Sequence, residues 1–100
     1  LLSACVSGRV REQREKVIAT ARTFTGTPYK WGGTTRTGMD CSGLTCNAYR
    51  AVELDLPRTA DAQATVGKKV KRRKLAPGDL VFFATGKKKR EITHVGIVTD

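Results

Sequence analysis

Apolar residues recur at Val10, Val17, Ile18, Ala21 and Phe24, with Arg, Glu, Gln and Lys filling the positions between them. This is the spacing of one helix face, and it predicts an amphipathic helix over 10–24 that must pack on something. The pattern breaks at GTPYKWGG (26–33), where Gly26, Pro28, Gly32 and Gly33 interrupt regular structure around three large side chains, Tyr29, Lys30 and Trp31. A shaped loop is expected there. After a turn at Gly38, a second helix is predicted to begin at Asp40 or Cys41, with Leu44, Ala48, Tyr49 and Val52 as its apolar stripe. Asp40 suits the N-cap, because its carboxylate can accept hydrogen bonds from the free amides of the first turn. In DLPRTADAQATVG (55–67) the proline stops regular structure, a threonine can cap, and a short third helix is predicted to end at Gly67.

The period then changes. LAPGDLVFFAT (75–85) is a turn followed by a short apolar run, and ITHVGIVTD (92–100) is β-branched; both are predicted strands, joined by a basic hairpin tip, GKKKRE (86–91). Helices first and strands afterwards indicate an α+β domain with helices packed on an antiparallel sheet. Alternation sets His94 on one strand face with Ile92, Gly96 and Val98, and sets Val95, Ile97 and Thr99 on the other. Gly96, two residues beyond His94, is expected to leave room for another backbone or a ligand.

One hundred residues allow one domain with a modest core. The net charge of +10 comes largely from KKVKRRK (68–74) and GKKKR (86–90), which favour anionic partners such as nucleic acid, lipid headgroups or carboxylate-rich wall polymers, or are simply solvated surface. Nucleic acid is the weakest of these, since the only aromatics near the basic runs, Phe82 and Phe83, are placed as core strand residues. No apolar run approaches the ~20 residues that span a bilayer. LLSAC at residues 1–5 is similar to a bacterial lipobox, which makes residues 1–9 a signal remnant and linker and makes Cys5 the lipidated residue, anchoring the protein to the outer or cytoplasmic membrane. Three cysteines do not suggest a disulfide framework. On a shared helix Cys41 and Cys46 stand beyond bridging distance, so both are expected to be free thiols.

A thiol attacks an acyl carbon as thiolate, so a catalytic cysteine needs positive potential nearby. A helix N-terminus provides it, and Cys41 is expected in the first turn of the second helix. His94 is the only histidine in the chain. If its strand packs against the start of that helix, it can serve as general base. A buried cysteine that only packs and a hydrogen-bonded structural histidine are the plainer alternatives, and residue spacing alone leaves both open.

Five blocks, GTPYKWGG, DCSGLTCNAY, LPRTADAQ, LAPGDLVFF and THVGIVTD, occur in that order over residues 10–100 and resemble the NlpC-type family of bacterial cell-wall cysteine peptidases. The resemblance implies a papain-like α+β fold with the nucleophile at a helix N-terminus packed on an antiparallel sheet. It implies hydrolysis of peptide bonds in peptidoglycan stem peptides, between D-glutamate and a diamino acid or at cross-links, with no cofactor or metal and with the protein acting as a monomer in the periplasm or cell envelope. By the same resemblance Cys41 matches the nucleophile, His94 the general base, and Tyr29 a tyrosine that helps to hold the oxyanion. Asp40 and Ser42 match the flanks of the nucleophile, with helix start and substrate-side hydrogen bonding as their roles, and Arg58 and Gln63 fall in a Pro-Arg block at the groove edge. Some relatives grip a free L-alanine amine with an Asp-Ser pair after Pro-Arg. Thr59 and Ala60 stand at those positions here and Asp61 is displaced by two, so a glycan-linked substrate or a cross-link is expected instead. The third catalytic residue is expected on a strand beyond Asp100, with the chain truncated at both ends and the last strands of the sheet missing. The same fold without a complete triad would be a non-catalytic module that binds the wall or a membrane surface.

Overall fold

The computed structural model describes residues 8–84 and 92–99. Helix α1 runs over Gly8–Arg22, and its apolar face buries Val17 and Ile18. It stops two residues short of Phe24, where the chain tightens into turns (Phe24 N–H to the Ala21 carbonyl, 3.1 Å). Phe24 instead receives the Arg36 guanidinium over its ring, 4.4 Å from the centroid. The 26–33 loop leads into a two-residue ribbon that local pattern could not disclose, β1 (Thr34–Thr35) against β2 (Gly38–Met39). Strands this short carry no readable alternation.

Helix α2 occupies Cys41–Arg50 with Asp40 as its N-cap, as the capping argument predicts. It packs against both α1 and β4. Helix α3 is shorter than expected, covering only Ala60–Gln63 with Thr59 as its cap, and it does not reach Gly67. Thr65 and Val66 bond back three residues rather than four, and the Thr65 hydroxyl takes the Ala62 carbonyl at 2.7 Å. That local bonding winds the chain into turns. The first basic run contains a single 3₁₀ turn, Arg72–Lys74, and all six of its cationic side chains are exposed. The second run, 86–90, lies outside the described residues.

Strands β3 (Leu80–Phe83) and β4 (His94–Ile97) pair antiparallel with Leu80 opposite Ile97 and Phe83 opposite His94. The expected alternation holds at its centre, where Val95 is buried and His94 exposed. One expectation fails: Phe83 is 45% exposed rather than in the core. Among the described residues nothing lies within 4 Å of where a Cβ on Gly96 would sit, so the space beside it is open.

The core joins Val17 of α1, Ala48 and Tyr49 of α2, Ala60 of α3, Leu80 and Val95. Burying side chains of this kind contributes about 1.5–3 kcal/mol each for the larger ones. The turn before β3 is clamped from three sides. Arg14 of α1 meets the fully buried Asp79 at 2.8 Å and the Pro77 carbonyl at 2.8 Å, the Tyr49 hydroxyl donates to the Gly78 carbonyl, and Gly78 N–H donates to Val98 at 2.7 Å. A buried carboxylate is tolerated only when it is paired in this way.

Candidate active site

Cys41 is the first residue of α2, and the residues before it are organised around one carboxylate. Asp40 Oδ1 accepts the Gly43 amide at 2.7 Å and Oδ2 accepts the Gly32 amide at 3.0 Å. Arg58 grips both oxygens, Nη1 to Oδ1 at 3.1 Å and Nη2 to Oδ2 at 3.0 Å, and also donates to Ser42 Oγ at 2.8 Å. Such fork-to-fork pairing fixes orientation as well as charge. Burial pushes the Asp40 pKa up, but the Arg58 hydrogen bond, the Gly43 and Gly32 amides and the Arg58 charge outweigh it, and the carboxyl is held below its usual value. Ser42 is buried, and its hydroxyl points to Asp40 Oδ1 at 3.4 Å. Asp40, Ser42 and Arg58 are therefore bonded to one another and, through Asp40 and Arg58, to the backbone of Gly32, Gly33 and Gly43.

This arrangement requires glycine at two places. Gly32 adopts φ +76°, which turns its amide toward Asp40. A Cβ on Gly43 would stand 2.4 Å from the Gly33 carbonyl oxygen, so only glycine lets α2 meet the 26–33 loop this closely.

Beneath α2, the fully buried Gln63 ties the site to α3. Its Nε2 shares two N–H donors among the Ser42 carbonyl (3.2 Å), the Pro57 carbonyl (2.8 Å) and Cys46 Sγ (3.4 Å), and its Oε1 accepts from Thr45 Oγ1 at 2.7 Å. Every hydrogen-bonding group of the amide is used. Cys46 is a buried free thiol, and burial pushes its pKa up.

A cleft of about 480 Å³ opens over Cys41. It is lined by the exposed Tyr29 and Trp31, by Asp40, Ser42 and Arg58, and by Thr59, Ala60 and Asp61 around the start of α3 together with Ile92 and Thr93. Asp61 Oδ1 accepts the Ile92 amide at 3.3 Å. Of the expected site residues the cleft gathers Tyr29, Asp40, Cys41, Ser42 and Arg58. His94 stands next to the cleft residue Thr93 but outside the lining, with its ring tilted 34° against Phe83 at 5.8 Å between centroids. Cys5 lies outside the described residues. The sequence marks Trp31 as a loop anchor and Gly32 as a loop breaker, and it assigns no contact to Gly43 and no hub role to Gln63. Only the adjacent glycines of GTPYKWGG offered a signal for any of these. Among the described residues no group of three or more His, Cys, Asp or Glu side chains could hold a metal ion.

The domain is α+β and papain-like, with a half-buried cysteine opening a helix beside a cleft, and it belongs to the NlpC/P60 family, whose model matches residues 26–100. Over 73 residues the chain is 48% identical to the "Probable endopeptidase NlpC" of Escherichia coli K12, covering 72% of this chain and 47% of that protein. Over 83 residues it is 42% identical to the gamma-D-glutamyl-L-lysine dipeptidyl-peptidase of Bacillus subtilis, covering 83% and 28%. Among solved structures, an NlpC/P60 family protein from Bacillus cereus superposes with a TM-score of 0.81 at 36% identity, over 87% of this chain and 28% of that one. RipD of Mycobacterium tuberculosis, a non-catalytic NlpC/p60 domain protein adapted to peptidoglycan binding, superposes at 0.77 with 27% identity, over 87% and 74%. The chain spans less than half the length of these two sequence relatives.

Proposed function

We infer that this chain is the peptidase domain of a cell-wall hydrolase, a cysteine endopeptidase that cuts peptide bonds in peptidoglycan stem peptides or cross-links. The observation that carries the reading is the position of Cys41: first residue of a capped helix, half-buried, and lining an open cleft. A helix N-terminus presents unpaired amides and roughly half a positive charge, an environment suited to a nucleophilic sulfur. The endopeptidase and dipeptidyl-peptidase names of the two relatives support the same chemistry.

In this reading Cys41 Sγ gives its proton to His94 and attacks the scissile carbonyl carbon. The Tyr29 hydroxyl donates to the developing oxyanion. The C–N bond breaks as the imidazolium returns the proton to the leaving amine, and the acyl group remains as a thioester. Water then attacks the thioester carbon, giving one proton to the imidazole, which passes it to the departing sulfur. Asp40, Ser42 and Arg58 set the sulfur's position and the cleft edge. The protein works outside the cytoplasm in the cell envelope, held by a lipid on Cys5, a role supported by the LSAC stretch. The exposed 68–74 run adds a salt-dependent attraction to carboxylate-rich wall polymer.

A second reading, a wall-binding module without catalysis, is favoured by the place of His94 outside the cleft lining and by the likeness to RipD. Purified sacculi incubated with the complete protein and with its Cys41→Ala variant separate the two. Muropeptide release by the wild type alone supports the peptidase. Equal release by both proteins overturns it, and salt-sensitive binding with no release by either establishes the module.

A further inference from the structure

The core takes one face of β3 and β4 and leaves Phe83 out. Leu80 and Val95 belong to it, and Phe82 and Ile97 pack against it, while Phe83 at the end of β3 is 45% exposed. A half-bare phenyl ring forfeits much of the gain from burial, so its place calls for another reason. The register supplies one. Phe83 stands directly opposite His94, and directly opposed side chains of antiparallel strands share a face. The two ring centroids lie 5.8 Å apart with the planes tilted by 34°, inside the range of about 4.5–7 Å at which aromatic pairs attract. The backbone beneath the pair is pinned, since the Phe83 carbonyl accepts the Thr93 amide at 2.9 Å and the Thr93 hydroxyl at 3.3 Å. On the other flank Gly96 shares the His94 face, and the space beside it is open among the described residues. Among those residues the imidazole makes no hydrogen bond or ion pair, so the Phe83 ring is what it rests on.

We propose that Phe83 is a positioning residue for His94, its ring holding the imidazole in one orientation at the edge of the cleft. The proposal rests on the peptidase reading, in which His94 moves the proton of Cys41. A general base works only while a ring nitrogen is aimed at that proton. An exposed histidine on a strand end is otherwise free to visit its staggered χ1 wells and a broad χ2, and every idle orientation lowers the fraction ready to act. A neighbouring ring excludes the orientations that would enter its volume and attracts the one that lies against it. A phenyl ring has no donor or acceptor, so it sets where the imidazole lies and leaves the choice of tautomer to a hydrogen-bonding partner. Leucine would fill the same volume without offering a flat face. Phe83 acts through His94, since it does not line the cleft and does not touch the reacting atoms.

The chain contains a single histidine, so the imidazole proton signals in an NMR spectrum report on His94 alone. In the wild-type full chain these signals are expected to show a nuclear Overhauser contact with the Phe83 ring protons and a ring-current displacement from the free-imidazole position. The displacement should vanish in Phe83→Leu and persist in Phe83→Tyr, with thermal midpoints recorded to show that both variants are folded. Turnover of a soluble muropeptide gives the matching split. Phe83→Leu is expected to lower kcat about fivefold with KM unchanged, and Phe83→Tyr to recover most of that loss. A wild type without the ring-to-ring contact overturns the proposal, whatever the variants do. So does an unchanged kcat in Phe83→Leu, or a Phe83→Tyr variant as slow as the leucine one while wild type cleaves normally. A wild type that cleaves nothing overturns the peptidase reading instead, and the imidazole signals then still decide whether the Phe83 ring holds His94.

Discussion

Replacing Asp40 with alanine tests whether one carboxylate organises the cleft. Three contributions go with it. The N-cap bond to Gly43, 2.7 Å long, is worth about 1 kcal/mol. The paired bonds from Arg58 span 3.0 and 3.1 Å, but the arginine side chain is 41% exposed, so solvent screening holds their worth to about 0.5–1 kcal/mol. The Gly32 amide loses its acceptor, for about another 1 kcal/mol. The sum is about 2.5–3 kcal/mol, a large fraction of the stability of a domain this size. With an m-value of about 1.5 kcal/mol/M, the urea midpoint at pH 7 should fall by about 2 M. Asp40→Asn keeps an acceptor for Gly43 and should lose about half as much. The pH dependence has a definite sign. Although burial raises the Asp40 pKa, Arg58 and the two amides pull it below the unfolded value, so the folded state favours the carboxylate. Its contribution is complete above the unfolded value near 4 and is lost as pH falls through the folded pKa. The gap between wild type and Asp40→Ala should therefore narrow in acid. A midpoint unchanged by Asp40→Ala at pH 7, or a gap that persists undiminished in strong acid, would refute the reasoning.

Two further expectations follow from the packing. Gly43→Ala should destabilise by about 2–4 kcal/mol and lower the thermal midpoint by about 10 °C or more, because its Cβ meets backbone 2.4 Å away; an exposed helical glycine would instead gain from alanine, so an unchanged or raised midpoint sinks the steric argument. Tyr49 has its pKa pushed up to about 12, chiefly by burial and further by Asp79, so its neutral phenol supports the fold below the unfolded value near 10 and that support is lost between about pH 10 and 12. Urea midpoints across that interval should fall more steeply for wild type than for Tyr49→Phe, and parallel curves would refute the assignment.

Much of the local architecture was legible. The spacing of Val17, Ile18 and Ala21 disclosed α1, the short polar side chain of Asp40 disclosed the start of α2, and alternation put Val95 in the core. Legibility failed where structure depends on very short elements or on competing local bonds: the two-residue ribbon β1–β2, the early end of α3 at Gln63, and the exposure of Phe83 at the end of β3.

In the site, the sequence identified Cys41 as a thiol at a helix start and marked Tyr29, Ser42, Arg58 and His94 as candidates. It could not show that Arg58, eighteen positions along the chain, turns back onto Asp40. Nor could it show that Gln63 is the buried hub beneath α2, or that Trp31 stands open at the cleft rim while His94 lies just outside the lining. The division has a physical cause. Period, capping and turn chemistry arise from groups a few residues apart, and the order of residues records them directly. A polar side chain's distant partner, and whether an aromatic ring ends up buried or bare, depend on which elements meet in space, and only the folded chain decides that.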